Sequence, residues 1–179
     1  FFSLTNKVAG KPFQSKINNV RNILKRNKAD YLFVSAPENV AWLLNIRGSD
    51  NPNSPIPNCR LIIGKDKKLF LITQKEKTLK IIKDKKLSKK QIVNPKNFKD
   101  LINKLKGYKF IIDPLSCSLL NENIIKLKFK IINKNDPCYK LKSIKNSSEI
   151  KHMILTSFQY QSSLSSLHEQ LVVRLLTVF

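Results

Sequence analysis

The stretch Val40-Ala41-Trp42-Leu43-Leu44-Asn45-Ile46-Arg47-Gly48-Ser49-Asp50 contains the only tryptophan of the chain and one of its four glycines. Its apolar residues recur at spacings that predict a short helix with one buried face. Asn45 and Gly48 are residue types that tolerate a positive φ, so we expect the helix to end there. Because Asn- and Pro-rich turns follow, Arg47 and Asp50 are expected at the mouth of a loop. They are either functional groups or an incidental ion pair at a solvated helix terminus.

Apolar periodicity divides the rest of the chain into alternating helices and strands. Helices are predicted for residues 15–28, 78–85, 98–105 and 116–127, and strands for 31–34, 60–63, 68–73, 91–93, 109–113 and 128–132. The helices are expected to turn these residues inward: Ile17, Val20, Leu24, Leu79, Ile81, Ile82, Phe98, Leu101, Ile102, Leu105, Leu119, Leu120 and Ile124. Lys16 is expected on the solvent face of the first helix. The pattern predicts an α/β domain with a mixed, mostly parallel sheet flanked by helices, in which the second and third strands form an antiparallel hairpin.

The composition is that of a globular protein, with 179 residues, 41% of them apolar and 26% charged. No apolar run of the sequence is long enough to cross a membrane. The formal charge is +22, but the lysines are scattered, and dense groups such as residues 83–90 lack interleaved aromatic residues. We therefore expect a solvated lysine surface with no specific nucleic-acid partner, and charge-driven nucleic-acid binding is the alternative.

Residues that could carry out chemistry are few. The three cysteines, Cys59, Cys117 and Cys138, are too widely spaced for a zinc pattern or a disulfide framework, and they fit free thiols in a reducing cytosol. The sequence has no glycine-rich nucleotide loop and no Gly-x-Ser-x-Gly turn. Its only histidines are His152 and His168; neither stands in a ligand pattern with neighbouring acids, and His168 is expected on the surface of a helix. The chain alone is therefore predicted to catalyse no hydrolysis.

Four segments of the chain carry a family pattern. They are Val8-Ala9-Gly10-Lys11 with Lys16-Ile17-Asn18-Asn19-Val20-Arg21; Trp42 to Asp50; Asp113-Pro114-Leu115-Ser116-Cys117; and Leu141-Lys142-Ser143-Ile144-Lys145-Asn146 with Glu149-Ile150. In this order they resemble the second creatinase-like N-terminal domain of the long-form aminopeptidase P (Xaa-Pro aminopeptidase) family. The resemblance covers most of residues 8–153 and implies the same α/β fold.

The resemblance also implies a function. Members of the family remove the N-terminal residue that precedes proline, with a water activated between two divalent metal ions, usually manganese. The ligands of these ions belong to a C-terminal catalytic domain that this chain is expected to lack, so no metal or other cofactor is expected within it. Domains of this kind pack against their own catalytic domain and a second subunit, and they wall the entrance for peptides with proline in the second position. We expect Arg47, Asp50 and Trp42 to be wall or interface residues.

The domain organisation follows from the same comparison. Residues 1–10 are expected to be a linker, 11–140 the domain, and 141–153 a linker and the start of the first catalytic-domain helix, with Asn146 as its N-cap. From residue 154 onward the composition changes: Arg174 is the only Lys or Arg residue in 154–179. The resemblance to the family ends at the same point. We interpret 154–179 as an aberrant tail from a shifted reading frame or a premature gene end. The alternative is a native amphipathic helix with an apolar stripe of Leu164, Leu167, Leu171 and Leu175.

The leading interpretation is therefore a cytoplasmic, non-catalytic N-terminal domain fragment of a Xaa-Pro aminopeptidase-like metallopeptidase. A free-standing protein-interaction module of the same fold remains open, because this fold also occurs in catalytically inactive relatives. Charge-driven binding to nucleic acid is the third possibility.

Overall fold

The computed structural model describes residues 1–159, which fold into a sheet covered by helices on both faces. The strands are β1 (Phe2–Ser3), β2 (Tyr31–Val34), β3 (Ile46–Arg47), β4 (Arg60–Gly64), β5 (Leu69–Ile72), β6 (Ile92–Val93), β7 (Lys109–Ile112) and β8 (Lys130–Asn133). The helices are α1 (Asn6–Ala9), α2 (Phe13–Arg26), α3 (Pro37–Leu44), α4 (Leu79–Lys83), α5 (Phe98–Lys104), α6 (Leu119–Lys126), α7 (Pro137–Ser143) and α8, which is helical over 147–159. Within this part of the chain, no helix is long and apolar enough to span a membrane.

The main sheet has the strand order β6-β5-β4-β2-β7-β8. β2 pairs with β7 in parallel, as do β7 with β8 and β5 with β6, whereas β4 is antiparallel to both β2 and β5. The predicted hairpin is therefore β4–β5, and the predicted mixed, mostly parallel sheet flanked by helices is confirmed. β1 and β3 form a separate antiparallel ribbon.

The central strand β2 is buried along its whole length because alternate side chains enter two different cores. Leu32 and Val34 join the core beneath α2 and α3. Tyr31 and Phe33 face the core beneath α5 and α6, where Tyr31 stacks on Phe110 with ring centroids 5.3 Å apart. Such two-sided burial explains why the sequence of this strand is almost entirely apolar.

Some side chains predicted in the core are instead exposed. Leu79, Leu119 and Leu120 expose 69%, 70% and 71% of their surface. Leu119 and Leu120 form the first turn of α6, which begins after the N-cap Ser118, and the helical rotation that carries Ile125 into the core turns them outward. α4 is likewise shorter than predicted, and its buried residue is Ile81.

Both ends of the described chain depart from the predicted linkers. In residues 1–10, β1 pairs with β3, and the N-terminal ammonium of Phe1 donates to the carbonyl of Lys77. The segment after residue 136 forms α7, because Asp136 caps its first turn and Cys138 is buried against the core. The predicted helix start at Asn146 is confirmed. The domain boundaries themselves stay a prediction, and most of the predicted tail, with its leucine stripe, His168 and Arg174, lies outside the described residues.

Candidate functional site

The C-terminal end of α3 is organised by Asn45, which has φ 49° and ends the helix in the left-handed conformation predicted for it. The side-chain Oδ1 of Asn45 accepts a hydrogen bond from Nζ of Lys16 at 2.8 Å, and its Nδ2 donates to the carbonyl of Lys11 at 2.8 Å. The backbone carbonyl of Asn45 accepts from Nζ of Lys86 at 2.8 Å and from the amide of Leu4 at 2.8 Å. One residue thus ties the end of α3 to α2 and to the N-terminal segment.

Lys16 lies under this helix end, and the prediction that it faces solvent is wrong, because only 2% of it is exposed. Its Nζ also donates to the carbonyl of Trp42 at 3.0 Å and lies 4.1 Å from the centre of the indole ring. Carbonyls at a helix C-terminus carry partial negative charge and an aromatic face attracts cations, so both contacts compensate for lost hydration. Burial is nevertheless the largest influence and lowers the pKa of Lys16 to about 8, with Glu149 opposing the shift.

Trp42 joins α3 to the start of α8. Its indole Nε1 donates to Oε1 of Glu149 at 3.1 Å. The other carboxylate oxygen accepts from the amide of Asn146 at 2.9 Å, while Oδ1 of Asn146 accepts from the amide of Glu149 at 3.0 Å. These two reciprocal bonds form a capping box, and the indole adds a third bond to it.

Arg47, at the end of β3, is half-buried beside Trp42. Its Nη1 donates to the carbonyl of Ile46 at 2.9 Å, and burial lowers the pKa of its guanidinium. Gly48 follows without the positive φ that its residue type suggested. A Cβ at Gly48 would instead lie 2.8 Å from Cα and Cβ of Pro57, so this glycine permits a close backbone approach.

Asp50 makes its contacts elsewhere and does not pair with Arg47. Its Oδ1 lies 2.5 Å from Nζ of Lys77, and its Oδ2 accepts from the amide of Asn58 at 2.6 Å. Burial would raise the pKa of this carboxyl, but these bonds outweigh burial and lower it. Asp50 therefore fastens the loop to the short helical turn Lys75–Thr78.

A cleft of about 310 Å³ opens where these elements meet, and we call it the Trp42 cleft. It is lined by Leu4, Val8, Ala9, Lys16, Trp42, Asn45, Arg47, Lys145, Glu149, His152 and Met153. The structure thus brings two of the three predicted site residues, Trp42 and Arg47, to one cleft. Lys16 and Asn45 were missed by the sequence analysis, although Lys16 precedes Val20 and Leu24 by multiples of four and so shares their buried face.

The described residues do not fit a metal centre or a nucleophilic thiol. Across residues 1–159, no group of three or more His, Cys, Asp or Glu side chains is placed to hold a metal ion. Cys59 and Cys138 are buried and Cys117 is partly buried. Burial raises the pKa of Cys59 to about 12 and that of Cys117 to about 11, so both remain protonated near neutral pH.

Comparison with known proteins gives a consistent family pattern. A sequence model described as the Creatinase/Prolidase N-terminal domain matches residues 1–149. The chain is 33% identical over 73 residues to Xaa-Pro aminopeptidase 1 of Dictyostelium discoideum, which is 41% of this chain and 12% of that protein. It is 48% identical over 48 residues to the probable Xaa-Pro aminopeptidase P of Talaromyces marneffei, or 27% of this chain and 7% of that protein. The matches thus span only a small part of these relatives.

Solved structures share the fold. The X-prolyl aminopeptidase of Caenorhabditis elegans, described as a cytosolic enzyme with a di-nuclear active site, superposes with a TM-score of 0.71 at 21% identity over 84% of this chain and 26% of that one. The N-terminal domain of the cytoplasmic peptidase PepQ from Mycobacterium tuberculosis gives 0.55 at 13% identity over 71% of this chain and 98% of that one. At these identities the superpositions establish the architecture, and the local chemistry rests on the residues described above.

Proposed function

This chain belongs to the Creatinase/Prolidase N-terminal domain family, as an N-terminal domain of the Xaa-Pro aminopeptidase kind, and from that premise we propose its role. It is the non-catalytic part of a longer cytoplasmic metallopeptidase that removes the N-terminal residue before proline. It packs against the catalytic domain of that enzyme and against a second subunit, and it restricts access to the active site.

One observation carries this proposal: within residues 1–159, α8 is firmly attached at its start and uncovered beyond it. The Glu149 carboxylate holds Trp42 and the amide of Asn146, and Nδ2 of Asn146 donates to the carbonyl of Ala9 at 3.0 Å. The apolar side chains that follow before the predicted tail, Ile150 and Met153, are exposed. Exposed apolar side chains on a helix that is fixed in place favour a packing partner. We assign that role to the catalytic domain, since the chain matches only a small part of its longer relatives.

The three predicted site residues would contribute in different ways. Arg47 and Trp42 lie at the Trp42 cleft and would face the peptide or the neighbouring subunit. Asp50 would act indirectly, because its contacts with Lys77 and Asn58 hold the loop in place. The two divalent ions, with manganese as the proposed metal, would be held by residues of the catalytic domain and would activate the attacking water.

The first experiment reads the gene and its transcript downstream of codon 153 in all three frames. We expect a frame that continues α8 and then encodes Asp, Asp, His, Glu and Glu in a metal-binding order. The longest encoded protein should cleave a peptide with proline in the second position when Mn²⁺ is added, while the 179-residue chain should not. If no frame encodes such ligands, the peptidase assignment is wrong and a free-standing interaction module takes its place.

The role of Arg47 is tested in the same long protein. We expect Arg47→Ala to lower kcat/KM for the peptide roughly tenfold, the loss expected from removing one charge-assisted contact. Lys99→Ala, an exposed change on α5, is the matched control and should leave activity unchanged. Equal activity of the two variants would remove Arg47 from the entrance wall.

A further inference from the structure

The Trp42 cleft has an excess of positive charge that its own residues do not neutralise. Two lysines and an arginine line it, Lys16, Lys145 and Arg47, together with the imidazole of His152, against the single carboxylate of Glu149. That carboxylate is already engaged, since one oxygen accepts from the indole of Trp42 and the other from the amide of Asn146. The cleft is therefore electropositive, and each oxygen of its single carboxylate already accepts a hydrogen bond.

Arg47 is the cation with the least compensation. Among residues 1–159, no carboxylate lies within ion-pair distance of its guanidinium. Its hydrogen bond to the carbonyl of Ile46 uses one nitrogen, which leaves other donors of the planar group available. Burial removes water from this guanidinium, and no ion pair replaces the lost hydration. A carboxylate that accepts two hydrogen bonds from it would compensate for this loss.

Lys16 adds a second positive charge to the cleft that Arg47 lines. It is buried, and the oxygens that it contacts, on Trp42 and Asn45, are both uncharged. These contacts fix the ammonium beside the cleft, so its position does not depend on a ligand. The field of a fixed, poorly hydrated cation favours an anion in the adjacent space.

The remaining walls are apolar. Leu4, Val8, Ala9 and Met153 line the cleft, and the indole of Trp42 provides a flat surface. A volume of about 310 Å³ lies at the lower limit of small-molecule sites. A ligand that matches both features carries a carboxylate and a small apolar group.

From these observations we propose that the Trp42 cleft binds the C-terminal residue of a peptide, with its α-carboxylate on Arg47 in the field of the buried Lys16 and its apolar side chain on Trp42. The ligand class is an acylated amino acid with a free carboxylate. The proposal rests on the proposed function in that it names the ligand of the same cleft, but its evidence is the charges and walls of the cleft and it does not require peptidase activity. It can therefore fail separately from the proposed function.

Trp42 is the only tryptophan in the chain, so its fluorescence reports on the cleft directly. The probe is N-acetyl-L-leucine, titrated into the 179-residue chain at neutral pH. The matched ligand is N-acetyl-L-leucinamide, which keeps the shape and removes the charge. We expect the acid to bind at least tenfold more tightly than the amide and inorganic phosphate to bind more weakly than the acid. Equal binding of acid and amide, or of acid and phosphate, would overturn the proposal.

Variants locate the contact. Arg47→Gln should weaken binding of N-acetyl-L-leucine roughly tenfold, and Arg47→Lys should weaken it less because it keeps the charge but loses the planar fork. Lys99→Gln, on the exposed surface of α5, changes the net charge equally and should leave binding unchanged. If Lys99→Gln weakens binding as much as Arg47→Gln, the effect is one of net charge and the assigned site is wrong. If Arg47→Gln does not fold, Arg47→Lys is compared with the natural chain instead. Unchanged binding of N-acetyl-L-leucine to Arg47→Lys would then count against the proposal.

Discussion

Trp42 and Glu149 are hydrogen-bonded across 107 residues of sequence, with the indole Nε1 of one donating to Oε1 of the other. The same carboxylate accepts the amide of Asn146 and thereby caps α8. A single side chain thus begins a helix and fastens it to the domain. The direction in which α8 leaves the domain is set at this contact, and so is the position of the exposed apolar residues beyond it.

Replacing Glu149 with Ala is expected to release the start of α8. Loss of a capping interaction costs about 1–2 kcal/mol, which corresponds to roughly 5- to 30-fold more frequent local opening. Hydrogen exchange at the amides of the first turn of α8 should accelerate by this factor, and the emission of Trp42 should shift to longer wavelength. Glu76→Ala, in the short turn after β5, is the control and should change neither. Unchanged exchange in Glu149→Ala would show that packing, not the capping box, holds the helix.

A second prediction concerns acid stability and Asp30. Burial would raise the pKa of this carboxyl, but the amides of Lys109 and Tyr108 and the ammonium of Lys65 outweigh burial and lower the pKa to about 2. A carboxyl with a lowered pKa in the folded state stabilises the protein above its unfolded pKa, and this contribution is lost as the pH falls from about 4 to about 2.

Asp30→Asn should therefore lower the free energy of unfolding by about 2 kcal/mol at pH 7 and make less difference near pH 2. Urea denaturation of both proteins at pH 7, 4 and 2.5 measures the difference. Asp84→Asn, at the exposed end of α4, is the matched charge change and should have a small effect at every pH. If the loss of unfolding free energy in Asp30→Asn is as large at pH 2.5 as at pH 7, Asp30 stabilises the protein through its packing and not through its charge.

Strand and core residues were predictable because burial imposes a period on the sequence. The all-apolar run of β2 identified a strand covered on both faces, and the four residues between the hairpin strands identified β4–β5. Leu119 and Leu120 were misplaced because an apolar residue in the first turn of a helix does not itself show which way the turn faces. That direction is set where α6 begins, at the N-cap Ser118.

The candidate site was only partly predictable. Trp42 and Arg47 were identified from their residue types next to a helix end, and both lie at the cleft. Lys16 was placed in solvent because a charged residue is rarely buried, and its partners are backbone and amide oxygens that come from another helix. An ion pair between Asp50 and Arg47 was one of two alternatives suggested by their proximity in sequence, whereas the actual partner of Asp50, Lys77, is 27 residues away.

The positive charge leads to a third prediction, on nucleic acid. With a net charge of +22 and lysines scattered over the sequence, the chain should bind duplex DNA weakly and without a defined site size. The logarithm of the affinity should fall linearly with the logarithm of the salt concentration. Heparin should compete with DNA when the two are present at equal concentrations of negative charge. Fluorescence anisotropy with labelled DNA at several salt concentrations measures both. Binding that saturates at a fixed site size, and from which heparin does not displace the DNA, would instead support a nucleic-acid-binding protein.

Stability at alkaline pH provides the last prediction, through Lys16. Burial lowers its pKa to about 8, below the ordinary value of 10.5, so the unfolded chain binds this proton more tightly than the folded protein does. The contribution of Lys16 to stability must therefore increase with pH between about 8 and 10.5, since at this group the unfolded state holds more protons in that range. Below pH 8 the ammonium is charged in both states, and the full cost of burying it is present.

The variant Lys16→Met isolates this contribution because it keeps the length of the side chain and removes the charge. The free energy of unfolding of the natural chain, minus that of the variant, should increase by about 2 kcal/mol between pH 7.5 and pH 9.5. Subtraction removes the opposing influence of the cysteines, whose raised pKa values lower stability over the same range. Lys99→Met, at an exposed position, should give a difference that does not vary with pH. A flat difference for Lys16→Met as well would mean that the ammonium beneath Trp42 is fully compensated by the carbonyls and the indole around it.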